Sequence, residues 1–298
     1  MLNEVSDDEL SGMDEVAHKC HEIMTAYRGK SIKELCNIFG LGPSTVAKQT
    51  ADKLIARMFG GREAKKVSDI EQLAKLGLIG QIVVLNKNGG RTEDMKLSAC
   101  ILDFDELNDP DITFEDTEAY EFFNDYRLLC PIFKEHPQND GKVVYGDNTF
   151  EGFKLFNLNS DDVLDTARTV WTKAKDLIQN DELTVSAMYT RDGKLRITPK
   201  TGVVMTKTNL PKSKDYNVFF RGTSTDATRK ENINGLEMYR QNYWIKGKYI
   251  VDELNNQDYI GITPFIEEHP DVSYDNSELS QYGMVAADGD GSDTVKMR

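Results

Sequence analysis

Residues 53–86 read KLIARMFGGREAKKVSDIEQLAKLGLIGQIVVLN. Leu54, Ile55 and Met58 fall at helical spacing, and Gly60-Gly61 stops the helix. A charged connection follows, and Ile79–Asn86 is a β-rich run. Helix, glycine stop and apolar strand in this order predict an α/β fold.

Upstream, Ser44 or Thr45 is the expected cap of that helix, with Val46, Ala47 and Ala51 on the same apolar side. Ser31, with Glu34 three residues on, predicts a capping box and a short helix to about Phe39. A first helix is expected over Glu15–Tyr27, with Val16, Cys20, Ile23 and Met24 on one face. Residues 1–14 are acidic and poor in apolar side chains, which predicts a disordered arm.

Downstream, Asn88-Gly89-Gly90 predicts a hairpin, with Met95–Phe104 as its returning strand. Asp103–Asp116 reads as a polar connection. Strands are expected at Leu128–Phe133, Lys142–Tyr145 and Phe150–Leu158. Ser160 should cap the longest helix, to about Gln179, whose stripe is Val163, Ala167, Val170, Trp171, Ala174 and Leu177. Strands at Leu183–Thr190 and Lys194–Pro199 are expected to flank a tight Asp192-Gly193 turn, and a last helix begins near Lys246 and ends at Asn255. The domain expectation is therefore an arm at 1–14, one domain at 15–255 and an acidic tail at 256–298.

The chain has 298 residues, 39% hydrophobic and 29% charged, which is the balance of a soluble globular protein. It lacks an uninterrupted run of about 18 apolar residues, so no membrane helix or membrane partner is expected. MLNEVSDDELSG is not a signal peptide, and the four widely spaced cysteines read as reduced thiols; both point to the cytoplasm.

Net charge is −14, which argues against nucleic acid until its distribution is read. Residues 1–16 carry six acids and no Lys or Arg, and residues 252–298 carry eleven acids against Lys296 and Arg298. Lys200–Ile250 carries ten Lys or Arg against four acids. A near-neutral body with one basic sector and two acidic arms is compatible with DNA binding.

Several segments resemble the MutH family, which includes a mismatch-repair nickase acting at GATC and the Sau-type restriction endonucleases that cut GATC. Gly29-Lys30-Ser31-Ile32-Lys33-Glu34-Leu35 with Phe39-Gly40-Leu41 is similar to the family's N-terminal helix. Leu54–Gly60 is similar to its second helix and glycine stop, and Leu76-Gly77-Leu78 to the segment before the catalytic E-x-K. In that family carboxylates hold Mg²⁺, and the Lys acts on the attacking water. Carried over residue by residue, the helix Glu falls on Ala56, the first Asp on Gln72, the strand Glu on Ile79 and the Lys on Gln81. None of the four has that chemistry. Gln81–Asn88, Phe104–Leu107, Phe150–Lys154, Tyr243–Lys246 and Tyr249-Ile250 most resemble the non-catalytic, DNA-binding C-terminal half of the Sau-type enzymes. The resemblance covers roughly Gly29–Leu254. It implies a restriction-endonuclease-like mixed sheet flanked by helices, with a DNA-binding cleft.

Other constellations compete with this one. Asp94-Met95-Lys96, preceded by Asp69, could be a nuclease motif displaced by one hairpin arm. However, Asp140-Gly141-Lys142 and Asp192-Gly193-Lys194 also fit so short a pattern. His18-Lys19-Cys20-His21 lacks further ligands at zinc spacing. Asp288–Asp293 lacks the glycine and terminal Glu of a calcium loop. Lys194–Lys200 resembles a family strand ending in "IRPK", with Thr198 in place of the Arg. After it come Lys207, Lys212, Lys214, Arg221, Arg229, Lys230, Lys246 and Lys248, interleaved with Tyr216, Phe219, Phe220, Tyr243 and Trp244. With Lys200, these cations are the expected DNA-binding set, one wall of a cleft, and Arg221 and Arg229 are the candidate base readers.

The sequence therefore predicts a double-stranded DNA-binding pseudo-nuclease of restriction or DNA repair, reading a GATC-type site by resemblance. It needs no cofactor of its own, and a catalytic nuclease subunit or a second copy would supply the chemistry. The alternatives are an active Mg²⁺-dependent endonuclease using Asp69, Asp94 and Lys96, and an interaction protein acting through its acidic arms.

Overall fold

The structure is a computed structural model and describes residues 7–42, 46, 49–61, 67, 70–91, 93–138, 141–199, 201–223 and 230–261. The fold is mixed α/β, with a mixed sheet flanked by helices.

The middle of that sheet is β4 (Arg127–Lys134), buried along almost its whole length. A strand covered on both faces reads as a continuous apolar run, as this one does. Leu128, Cys130 and Ile132 enter one hydrophobic cluster, while Leu129 and Phe133 enter another. The antiparallel β5 (Thr149–Asn157) lies along one edge of β4. Its alternation is interrupted at Gly152 (φ 135°), where a Cβ would meet Met24 and Tyr259. That bulge puts Phe150 and Phe153 on the same face.

On the other edge, β1 (Leu78–Gly80) and β2 (Val83–Leu85) both run parallel to β4 in one continuous register. They are one strand with a break at Gln81-Ile82. Gln81 N–H donates to Leu129 O at 2.9 Å. The next rung would need an N–H from residue 131, and Pro131 has none.

The Asn88-Gly89-Gly90 turn forms, with the Asn86 side chain accepting from the Asn88 and Gly90 amides at 2.9 and 3.0 Å. The expected hairpin does not. The strand after the turn, β3 (Met95–Ile101), pairs instead with β11 (Gln241–Ile245) in a second, antiparallel sheet completed by β8 (Val218–Gly222). The outer edge of β1/β2 is taken by Arg91, whose Nη1 donates to Ile82 O at 3.2 Å.

The cluster on one face of β4 is closed by α1 (Asp7–Tyr27), α2 (Ile32–Ile38), α3 (Thr50–Met58) and α4 (Glu71–Lys75). Helix α1 begins at Asp7, inside the expected arm. The Ser31/Glu34 capping box is formed; Ser44 and Thr45 lie outside the described residues. The cluster on the other face is shared with the antiparallel sheet and with α5 (Phe104–Asn108), α6 (Glu118–Asp125), α7 (Asp161–Gln179) and α8 (Gly247–Asn255). Helix α5 occupies the stretch Asp103–Asp116 expected to be connection, and α6 follows it where the sequence suggested no element. Asp103 and Thr117 cap them through their side chains. Lys142–Val144 forms no strand, and a 3₁₀ turn covers Tyr145–Asp147. The packed body runs past Asn255: Ile260 N–H donates to Phe153 O at 2.9 Å, and the Tyr259 ring lies beneath Arg28 and Lys154. Among the described residues, no helix is long and apolar enough to cross a membrane.

Candidate nucleic-acid interface

The four positions onto which the resemblance carries nuclease residues are apolar or neutral in the fold. Ala56 is fully buried in α3, and Ile79 of β1 packs against the core. Gln81 occupies the strand break, and Gln72 lies in α4. Among the described residues, no three His, Cys, Asp or Glu side chains converge as a metal ion requires.

Asp94 and Lys96 do lie together at the start of β3. Asp94, however, is already engaged. Its Oδ2 meets Arg221 Nη2 at 2.6 Å, and its Oδ1 accepts from the Gly247 amide at 3.2 Å. A carboxylate at the first turn of α8 satisfies an orphan N–H and favours the helix dipole. Gly247 allows the approach, because a Cβ there would collide with the Glu93 carbonyl. Burial, then the Arg240 charge, holds the Lys96 ammonium below its usual pKa. Asp69 and Asp140 are outside the described residues.

The expected basic wall from Lys200 to Lys248 separates into different roles. Arg221 is paired with Asp94 and lies 4.6 Å over the Trp244 ring and 5.1 Å from that of Phe219. Lys212 turns inward, donating to Thr208 Oγ1 at 3.1 Å and Phe220 O at 3.2 Å, and burial lowers its pKa to about 8. Lys248 pairs with Asp252 at 2.6 Å, Lys230 lies 5.6 Å over Tyr239, and Lys246 is the half-buried N-cap of α8. Lys207 and Lys214 are exposed; Lys200 and Arg229 are outside the described residues. Phe219, Phe220 and Tyr243 are core residues, not stacking platforms.

A more coherent cationic surface lies just upstream. Residues 184–209 form a small β-lobe from three segments. Strands β6 (Val185–Ala187) and β7 (Thr206–Thr208) pair at its base. Bridges join Tyr189 to Leu195 and Ile197 to Val204. At its centre the backbones of Met188, Arg196 and Met205 bond to one another in a ring, each contact at 2.8 Å. Asn209 fastens the base, donating to Glu182 O and accepting from the Thr184 amide, both at 2.9 Å. The base also rests on β10 (Leu236–Met238), which pairs with β9 (Glu231–Ile233).

On this lobe Arg191, Lys194, Arg196 and Lys207 are exposed, and Asp192 is the single acid of the segment. Tyr189, Leu195 and Ile197 are 63%, 45% and 49% exposed. Lys194 lies 3.4 Å from Asp192 in an exposed pair, which leaves Arg191, Arg196 and Lys207 in excess beside uncovered apolar strand residues, a combination typical of contact surfaces. The resemblance reaches Lys194–Lys200 but puts only Lys200 of that stretch in the DNA-binding set, and Tyr189 and Arg191 have no place in it. The available signal was the cation–apolar alternation Lys194-Leu195-Arg196-Ile197.

No family model matches the chain, and no curated protein matches it.

Proposed function

We propose that this chain binds duplex DNA without cutting it, and that its sheet is a MutH-like, restriction-endonuclease type of fold. The observation that carries the proposal is the β-lobe of residues 184–209, which offers four exposed cations, one acid and uncovered Tyr189, Leu195 and Ile197. A β-ribbon fits the major groove, cations neutralise phosphates, and apolar side chains can meet thymine methyls. The mixed sheet flanked by helices is compatible with the proposed fold.

Lack of cleavage follows from Ala56, Ile79 and Gln81, which cannot hold Mg²⁺, and from Asp94, which is occupied by Arg221 and α8. A catalytic subunit or a second copy would then supply the chemistry, and GATC is the site implied by the resemblance. The test is a titration of a GATC duplex against a scrambled one, in Mg²⁺ and in EDTA. The expected result is salt-dependent binding that discriminates between them, with no nicking. Mg²⁺-dependent nicking that disappears in Asp94→Ala would establish the nuclease instead.

A further inference from the structure

The antiparallel sheet has two unlike faces. Met95, Leu97, Val218, Phe220, Tyr243 and Ile245 enter the core. Alternation puts Lys96 of β3, Arg221 of β8 and the row Arg240, Asn242, Trp244 on the opposite face. Lys96 stands directly opposite Trp244, and Arg221 lies 4.6 Å over the same indole. Lys246 continues the row past Trp244.

The cations of this face are not alike. Arg221 pairs with Asp94, and Arg240 with Glu231. Lys96 and Lys246 have no ion-pair partner among the described residues. Both are half-buried. The charge beside Lys96 is another cation, and burial, then Arg240, lowers its pKa. A half-buried ammonium without an acid is costly, and an incoming anion offsets that cost.

The rest of the surface limits where an anion can lie. The Arg240 end of the face borders a cavity of about 680 Å³ whose lining includes Asp103, Asp105, Glu118, Glu121, Asp125 and Glu231. These acids repel an anion, which confines it to the end with Lys96 and Lys246. The β-lobe is rooted beside the same face. Lys212 ties Thr208 of β7 to the Phe220 carbonyl of β8, and the lobe base rests on β10, which ends two residues before Arg240. A polyanion that meets the lobe can therefore continue over the sheet.

We propose that this face, through Lys96 and Lys246, holds a sugar–phosphate strand of the duplex that the lobe engages. The inference rests on duplex DNA as the ligand proposed for the lobe. Arg221, held by Asp94 over Trp244, is a positioning residue beside Lys96. Binding by the full chain is measured by fluorescence anisotropy over a salt series, with GATC and scrambled duplexes. Lys96→Met and Lys246→Gln should each weaken both duplexes equally, by about threefold or more, and lower the salt slope by about one. Lys96→Met should unfold at the wild-type urea concentration or a higher one, since it removes an unpaired, half-buried charge; a merely structural lysine would lose stability. Lys53→Gln makes an equal charge change at an exposed site on α3, across β4, and should leave affinity nearly unchanged.

The inference is overturned if Lys96→Met keeps wild-type affinity and slope, or if Lys53→Gln acts as strongly. If binding is then lost in the protein combining Arg191→Ala, Lys194→Ala, Arg196→Ala and Lys207→Ala, the lobe still binds DNA and only the sheet face is excluded. If Lys96→Met weakens binding and the lobe changes do not, the face stands and the lobe is excluded. Absence of salt-dependent binding by wild type overturns both. Should Lys96→Met fail to fold, acetylation of the wild-type chain decides, read by mass spectrometry. Duplex should protect Lys96 and leave Lys53 unchanged, and equal modification of Lys96 with and without duplex overturns the inference.

Discussion

Asp94 shows how one residue supports a chemical reading from sequence and a structural one from geometry. As Asp94-Met95-Lys96 it resembles a metal-and-water motif. In the fold it joins Arg221 to the start of α8. Asp94→Ala should cost about 1 kcal/mol in urea unfolding, mainly through the lost helix-start acceptor, because the Arg221 end of the ion pair is exposed. Asp94→Asn keeps an acceptor for Gly247 and should cost less. Equal and negligible losses would remove this role. Lys212 gives a pH signature. Burial, then the Arg221 charge, lowers its pKa from 10.5 to about 8. The unfolded chain therefore binds more protons than the folded one between those values, so this group makes stability rise with pH from about 8 to about 10.5. It withholds that stability below pH 8. Lys212→Met should flatten that rise, as read from unfolding midpoints across the window, and an unchanged slope would contradict it. Neither role was legible beforehand, because Asp94 and Arg221 lie 127 residues apart and local patterns carry no such pairings. The Ser31/Glu34 box was legible because its whole geometry lies within four residues.

At the scale of elements, periodicity located α7, β4 and β5 well, since their apolar patterns are long and their burial follows the pattern. It misdirected the strand after Gly89-Gly90. The turn chemistry was right, but Arg91 occupies the strand edge that a hairpin would have used. Helix α6 was missed although Thr117, Glu118 and Glu121 mark a capped start, because its eight residues give little periodicity. The β-lobe was legible as two strands flanking a turn at Asp192-Gly193, which the Tyr189–Leu195 bridge joins; its third segment and closed ring depend on pairings across the whole unit. If the lobe meets DNA, Arg191→Ala and Arg196→Ala should each lower the salt slope of duplex binding by about one. Both residues are exposed, so melting temperature should hardly move. Arg221→Ala should do the reverse, lowering stability more than affinity.

At the scale of the molecule, charge is sorted into a cationic lobe, an acidic cavity and an acidic C-terminal segment. Residues 262–298 carry eight acids against Lys296 and Arg298. They can compete with phosphate for the lobe, so truncation after Gly261 should tighten duplex binding, most strongly at low salt. Ending the chain at Asn256 instead would remove the Tyr259 ring from beneath Arg28 and Lys154 and confuse affinity with stability. Unchanged affinity across a salt series would remove the competition. The central claim is duplex binding through the lobe of residues 184–209. It is tested most directly by fluorescence anisotropy of a GATC duplex over a salt series, comparing wild type with Arg191→Ala, Lys194→Ala, Arg196→Ala and Lys207→Ala combined. Binding should weaken at every salt concentration, and the slope of log K against log salt should become shallower by about three to four. Equal affinity and equal slope in the two proteins would contradict it.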